Sequence, residues 1–290
     1  FLREAQAAAQ LESPHTARVL DVRRLKGGVP YLVMELLEGM DLERYVTQNG
    51  PLPIGEAVTL VAQACEALAE AHAAGVVHRD LKLANMFLIR GPDGSGHVKI
   101  LDFGIAKMVH APAQVALTAS SVSFGSPQYM SPEQLRSTRD VDARSDLWSL
   151  GVCLYELLTA KMPFEGVSQP MLFAAILGGE PAPLRERRPE VPEELAAIVD
   201  RCLRKNPAER WQSAQEIKDA LSAWTLAQGG RATGQLRMHA STQRMVSPVA
   251  AAPAGDVDGR TITQGEWEQL TGPRHRVATQ PSQLRQKEAG

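Results

Sequence analysis

His78-Arg79-Asp80, Lys82 and Asn85 lie close together in the chain, and Asp102-Phe103-Gly104 follows them after two short apolar runs. Two carboxylates, a carboxamide and an ammonium in one place suit the transfer of a metal-bound phosphoryl group. Asp80 can accept the proton of an incoming hydroxyl, and Lys82, two residues on, can neutralise charge on the phosphate. Asn85 and Asp102 offer the hard oxygen ligands that Mg²⁺ prefers. Each short motif alone is unspecific; order and spacing give them weight.

The segment between these residues must fold back for them to meet. Residues 86–89 and 97–101 are apolar and read as antiparallel strands, with Gly91-Pro92-Asp93-Gly94 as the turn. Such a hairpin brings His78, Asp80 and Asn85 to Asp102. Upstream, Ile54, Val58, Val61, Cys65 and Leu68, with His72 continuing the face, predict a long helix over 54–72, closed by Gly75.

Other elements are read from pattern. Residues 1–12 are strong helix formers stopped by Ser13-Pro14, and residues 18–25 and 29–37 predict a hairpin around Gly27-Gly28. Glu38-Gly39 then loosens the chain before a short helix over 42–47, which Asp41 can cap. Residues 107–126 lack periodicity and are dense in hydroxyls, including Thr118, Ser120, Ser121, Ser123 and Ser126, so a mobile loop is expected. Leu147, Leu150, Leu154, Leu157 and Leu158 predict a buried helix begun by Asp146. Leu195, Ile198, Val199, Cys202 and Leu203 mark another, and Ser213-Ala214-Gln215-Glu216 reads as a capping box before a last helix ending near Trp224. Beyond 228 apolar periodicity stops, which predicts a disordered tail or linker.

The chain has 290 residues with 44% hydrophobic content, enough for a sizeable core in one large or two small domains. A net charge of −2 gives no reason to invoke nucleic acid, and no apolar run approaches a membrane span. Cys65, Cys153 and Cys202 are far apart and sit among apolar residues, which predicts buried thiols in a reducing cytoplasm. The chain begins at Phe1 rather than Met and reads as a piece of something longer.

The run H-R-D-L-x-x-x-N from His78, Asp102-Phe103-Gly104, then Ser131-Pro132-Glu133 and Asp146-Leu147-Trp148-Ser149-Leu150-Gly151, resembles the protein kinase superfamily. The likeness covers roughly residues 1–225 and is nearest to bacterial eukaryotic-like Ser/Thr protein kinases. It implies an α+β, two-lobed kinase-like fold: residues 1–37 as an incomplete small lobe, 38–225 as a complete, mainly helical catalytic lobe, and 226–290 as the tail. It implies ATP and Mg²⁺ as cofactors, protein substrates with Ser or Thr acceptors, self-association for autophosphorylation, and a cytoplasmic location, with any membrane anchor outside this chain.

Residue by residue, the resemblance assigns Asp80, Lys82 and Asn85 to catalysis, and Asn85 and Asp102 to the metal. Glu4 would pair with the ATP-binding lysine. Met34 and Phe87 would line the nucleotide pocket, Glu35 and Leu37 would meet adenine through the backbone, and Asp41 would hold the ribose. Arg79 would meet a phosphorylated activation segment at Thr118 or Ser120, and Ser126 would position the acceptor hydroxyl. Glu133, Asp146 and Arg210 would brace the lobe. Leu83 replaces the proline usual after Lys82. The glycine-rich loop and the ATP-binding lysine do not occur in the sequence, and neither Lys26 nor Lys99 is well placed to substitute for that lysine. Two classes stay open: a segment of an active Ser/Thr kinase, or a pseudokinase or binding scaffold.

Overall fold

The computed structural model describes residues 8–24, 30–91, 94–103, 127–137 and 141–228. The expected site residues Glu4, Thr118, Ser120 and Ser126, most of the expected first helix, and residues 229–290 of the expected tail lie outside the described residues. The chain divides into two units, residues 1–22 with 32–249 and residues 23–31 with 250–290. The described part of the second is the tip of a hairpin, β1 (Val19–Arg24) and β2 (Pro30–Met34). Among the described residues, the first unit holds the remaining strands and all the helices.

A three-stranded antiparallel sheet, β3 (Gly39–Asp41), β4 (Met86–Arg90) and β5 (Gly96–Ile100), carries the site. The expected hairpin is β4–β5, with Met86 opposite Ile100 and Arg90 opposite Gly96. Met86, Phe87 and Leu88 are all buried, so β4 is covered on both faces, which gives it a run of apolar residues in place of the alternation of a half-solvated strand. β3 was not expected. Glu38-Gly39 reads as a loosening of the chain, yet Gly39 pairs with Ile89 and Asp41 with Phe87, because β4 offers a free edge that three residues suffice to occupy. Correspondingly, β2 ends at Met34 rather than at the expected Leu37.

On the other edge, His15–Ala17 runs alongside Ile100: the Ile100 amide donates to the His15 carbonyl at 2.8 Å and the Ala17 amide to the Ile100 carbonyl at 2.9 Å. The Glu70 carboxylate accepts from the amides of Glu12 and Ser13 at 2.7 and 2.8 Å, tying the same segment to a helix.

The helices form the larger part. α1 (Leu42–Asn49) is capped by Asp41, whose Oδ1 accepts from the Arg44 amide at 2.8 Å. α2 (Ile54–Ala73) carries the predicted apolar face and packs on β5. After α3 (Pro132–Arg136) comes α4 (Ala143–Thr159), buried on nearly every face from Ser145 to Leu158, which puts it at the centre of the lobe. Asp142, not Asp146, caps α4; Asp146 sits in its first turn and points inward. α5 (Gln169–Gly178), α6 (Leu184–Arg187), α7 (Glu193–Cys202) and α8 (Ala214–Ala227) complete the helical part. Ser213 caps α8 through the Glu216 amide, but Glu216 reaches back to the Gln212 amide, so only half of the expected box forms. Trp148 stacks on Phe164 with centroids 5.4 Å apart. The three cysteines are unpaired and buried. Among the described residues no helix is long and apolar enough to cross a membrane.

Candidate active site

α2 ends at Ala73, Gly75 takes a positive φ of 74°, and the chain turns into the loop that carries His78 to Asn85. The loop is held from below by Asp146. Its Oδ2 accepts from the His78 amide and its Oδ1 from the Arg79 amide, both at 2.8 Å. His72 Nε2 lies 2.8 Å from the same Oδ2, so the last turn of α2, the loop and α4 meet at one buried carboxylate. Arg79 adopts φ 63°, a left-handed conformation that costs a non-glycine residue energy and persists only where its surroundings impose it. Two amides converging on one carboxylate supply that constraint.

Above this base, Asp80 and Lys82 form an ion pair, Oδ2 to Nζ 3.2 Å, with both side chains partly open to solvent. Asn85 closes a short 3-10 turn (Leu83–Asn85) and donates through Nδ2 to the Asp80 carbonyl at 2.8 Å and, weakly, to Asp80 Oδ2 at 3.5 Å. The hairpin returns the chain to this point: the Leu101 amide donates to the Asn85 carbonyl at 2.8 Å, and His78 Nε2 lies 2.8 Å from the Leu101 carbonyl. The His78 ring packs on Phe103 with centroids 5.0 Å apart. Asp102 lies between, also in a left-handed conformation, φ 52°. Burial pushes its carboxyl above the ordinary range; the charges of His78 and Lys82 oppose this, and that of Asp80 adds to it. A carboxyl burdened by burial and by a neighbouring carboxylate is one that a cation would relieve.

Asp102 and Phe103 also line a shallow hollow with Met34, Leu32, Thr16 and Ala17. Met34 therefore faces the same space as Asp102. Phe87 is buried on β4, opposite Asp41 on one side and Lys99 on the other. The Glu35 amide donates to the Arg18 carbonyl at 3.0 Å, and its carboxylate accepts from the Arg18 amide at 2.8 Å and from Lys99 Nζ at 2.6 Å. Lys99 also donates to the Thr16 carbonyl at 3.2 Å. Leu37 is half-buried, and its neighbour Leu36 is exposed.

Glu133, Ser145 and Arg210 form a brace. The Arg210 side chain is fully buried and all five of its N–H groups are used: Nη1 and Nη2 on the two Glu133 oxygens at 2.7 and 2.8 Å, and the rest on the carbonyls of Arg204, Arg144 and Lys205. Burial alone would push the Glu133 carboxyl up; Arg210, with the Ser145 hydroxyl donating at 2.6 Å, outweighs it and holds the group below 4.5.

Sequence reasoning missed two residues here. His72 looked like one more position on the apolar face of α2, and only its reach to Asp146 distinguishes it. Gln134 carried no signal at all, yet its side chain joins α3 to the Arg79 carbonyl at 2.9 Å.

A protein kinase domain family model matches residues 1–221, and the chain belongs to that family. The α+β kinase-like fold expected from the motifs is the fold of this chain. It is 38% identical over 269 residues to the serine/threonine-protein kinase pkn3 of Myxococcus xanthus, covering 90% of this chain and 49% of that protein. It is 40% identical over 221 residues to the serine/threonine-protein kinase PknB of Mycobacterium leprae, covering 75% of this chain and 34% of that protein. The chain thus spans half or less of the length of these relatives. Among solved structures it resembles the kinase domain of PknI from Mycobacterium tuberculosis, with a TM-score of 0.57 and 29% identity over 77% of both chains. It also resembles a Rad53 kinase domain in complex with AMPPNP, with a TM-score of 0.59 and 26% identity, covering 76% of this chain and 77% of that one.

Proposed function

We propose that this chain is the catalytic-lobe segment of a protein kinase that transfers the γ-phosphoryl group of ATP to Ser or Thr hydroxyls of proteins; without the glycine-rich loop and the ATP-binding lysine, neither of which its sequence holds, the chain alone is expected to turn over weakly. The observation that carries the reading is the Asp80–Lys82–Asn85 cluster set against the half-buried Asp102. Asp80 takes the acceptor's proton as the hydroxyl oxygen attacks the γ-phosphorus. The bond to the β–γ bridging oxygen breaks and its electron pair leaves with ADP. Lys82, 3.2 Å from Asp80, is close enough to neutralise the charge on the transferring group.

The donor set fits Mg²⁺, a hard cation usually held by one or two carboxylates together with substrate phosphates. Asn85 and Asp102 would hold it, and when bound it neutralises charge on the β- and γ-phosphate oxygens. Met34 borders the same hollow as Asp102, and this shared position is the reason for placing the nucleotide beside them. Because the Glu35 amide is committed to Arg18, an adenine hydrogen bond at that residue falls to its carbonyl. The Asp41 carboxylate caps α1 and borders the same sheet, so contact with ribose is a second task for it.

Glu4 would secure a lysine on a preceding strand, and Arg79 would receive phosphate from Thr118 or Ser120, with Ser126 steering the acceptor hydroxyl. Within this reading, residues 38–225 are the catalytic lobe and protein substrates are the partners.

The test is radiolabelled phosphate transfer from MgATP to a generic Ser/Thr protein, with mass mapping of the chain itself. Asp80→Asn is expected to lower the rate by ~10²–10⁴-fold, and phosphate on Thr118 or Ser120 is expected to vanish in Asp102→Asn. Nucleotide binding without turnover in the unmutated protein would favour the scaffold reading instead.

A further inference from the structure

The peptide between Arg79 and Asp80 is gripped from two sides. Its N–H, on Asp80, lies 3.3 Å from His78 Nδ1. Its carbonyl, on Arg79, accepts a 2.9 Å hydrogen bond from Gln134 Nε2, fifty-five residues away on α3. One bond earlier, the Arg79 amide is fixed by Asp146. Arg79 stands at φ 63°, so the direction of the next peptide, and of the Asp80 Cα–Cβ bond beyond it, depends on what holds that carbonyl.

Gln134 is itself held. Its Oε1 accepts from the Ser131 amide at 2.9 Å, while Ser131 Oγ accepts from the Gln134 amide at 3.4 Å, a reciprocal capping box at the start of α3. The two ends of one carboxamide thus do different work: the oxygen caps α3, and the nitrogen holds the catalytic loop. Glu133, next in sequence, is clamped by Arg210, so the helix that presents Gln134 is anchored to the core. Gln134 and Asp80 also border the same narrow cleft, together with Tyr129 and Ser149.

We infer that Gln134 is a positioning residue for Asp80, the element through which the segment entering α3 sets the orientation of the catalytic loop. The inference rests on Asp80 being the base, and it adds a residue that the motifs do not name. A carboxamide is required because the same side chain must accept at one end and donate at the other; glutamate accepts only.

That difference makes Gln134→Glu the informative variant. The carboxylate still accepts from the Ser131 amide, and an acid in the first turn of a helix is favourable, so α3 remains capped. The bond to the Arg79 carbonyl is lost, and a carboxylate oxygen then faces that carbonyl and repels it. Expected in the otherwise intact chain are a ~10- to 100-fold fall in kcat, as for a small misplacement of a reacting group, and a KM for ATP within twofold of the original. In an Asp80→Asn background the same change has no further effect. Ser131→Ala, which removes the cap but keeps the Nε2 bond, leaves kcat within about threefold.

Equal losses in both backgrounds, or a Ser131→Ala loss as large as that of Gln134→Glu, would overturn the inference in favour of a merely structural role. A readout independent of turnover separates this from failure of the kinase reading. Amide hydrogen exchange at Asp80 is expected to accelerate about tenfold in Gln134→Glu, with α4 amides unchanged. Unchanged exchange at Asp80 sinks the proposal whether or not the unmutated chain transfers phosphate.

Discussion

The demands on single residues are clearest at Arg210. Its five donors meet five acceptors in a fully buried site, so the usual exchange of a buried ion pair for apolar side chains does not apply here. Removing one partner, as in Glu133→Ala, is expected to cost ~3–5 kcal/mol. The double change Arg210→Met with Glu133→Leu is expected to remain well below the original, because the carbonyls of Arg204, Arg144 and Lys205 lose their donor; urea unfolding of the single and double variants measures both. The pair also fixes a pH dependence. The folded carboxyl of Glu133 is held below 4.5, so its contribution is complete above that pH and is lost as pH falls through the depressed value. His72 and Asp146 make the matching point for the loop that carries Asp80: a residue that reads as helix face or helix cap becomes a loop anchor through contacts 67 to 74 residues apart in sequence.

At the scale of elements, α4 is the piece against which the others pack, and its tolerance is correspondingly small. Gly151 lies where a Cβ would overlap Cys202 Cβ on α7. Gly151→Ala is expected to destabilise by about 1–3 kcal/mol despite its better helix propensity, since helix backbone must shift to admit the methyl group; calorimetry decides it. The other end of α4 predicts the opposite sign. Ala160 terminates the helix at φ 55°, where glycine fits without strain, so Ala160→Gly is expected to raise stability by ~0.5–1 kcal/mol. The long amphipathic helices were legible in the sequence because α2 keeps an unbroken apolar spacing along its length. β3 was not, because three residues have no period, and pairing with β4 decides their state.

For the molecule as a whole, the segment 127–129 is tied to the helical core through a titratable contact. The Tyr129 hydroxyl donates to Glu156 Oε2 on α4, and the Ser149 hydroxyl donates to the Tyr129 carbonyl at 2.8 Å. Burial pushes the Glu156 carboxyl up to about 7; the Tyr129 hydrogen bond pulls it down, and Glu43 adds a smaller upward push. A raised acid pKa means that the folded state holds the proton longer than the unfolded one, so stability falls as pH rises from 4.5 to about 7. Glu156→Gln is therefore expected to gain on the original protein across that interval and to run parallel to it below pH 4.5, as read by chemical unfolding at a series of pH values.

The sequence by itself determined which residues stand together at the candidate site. Asp80, Lys82, Asn85 and Asp102 lie on one continuous stretch, and the hairpin that joins them is written in local apolar runs and turn residues, so short-range geometry is enough to bring them together. It equally determined the helical lobe, through periodicity. What only the tertiary structure decided is how those residues are aimed: Asp146 under the loop, His72 behind it, Gln134 on the Arg79 carbonyl, and Lys99 held by Glu35. Each is a polar contact between elements far apart in the chain, formed because a buried donor or acceptor must be satisfied once packing brings the elements together. No period or local motif encodes such a pairing, because the requirement arises only after the core has closed.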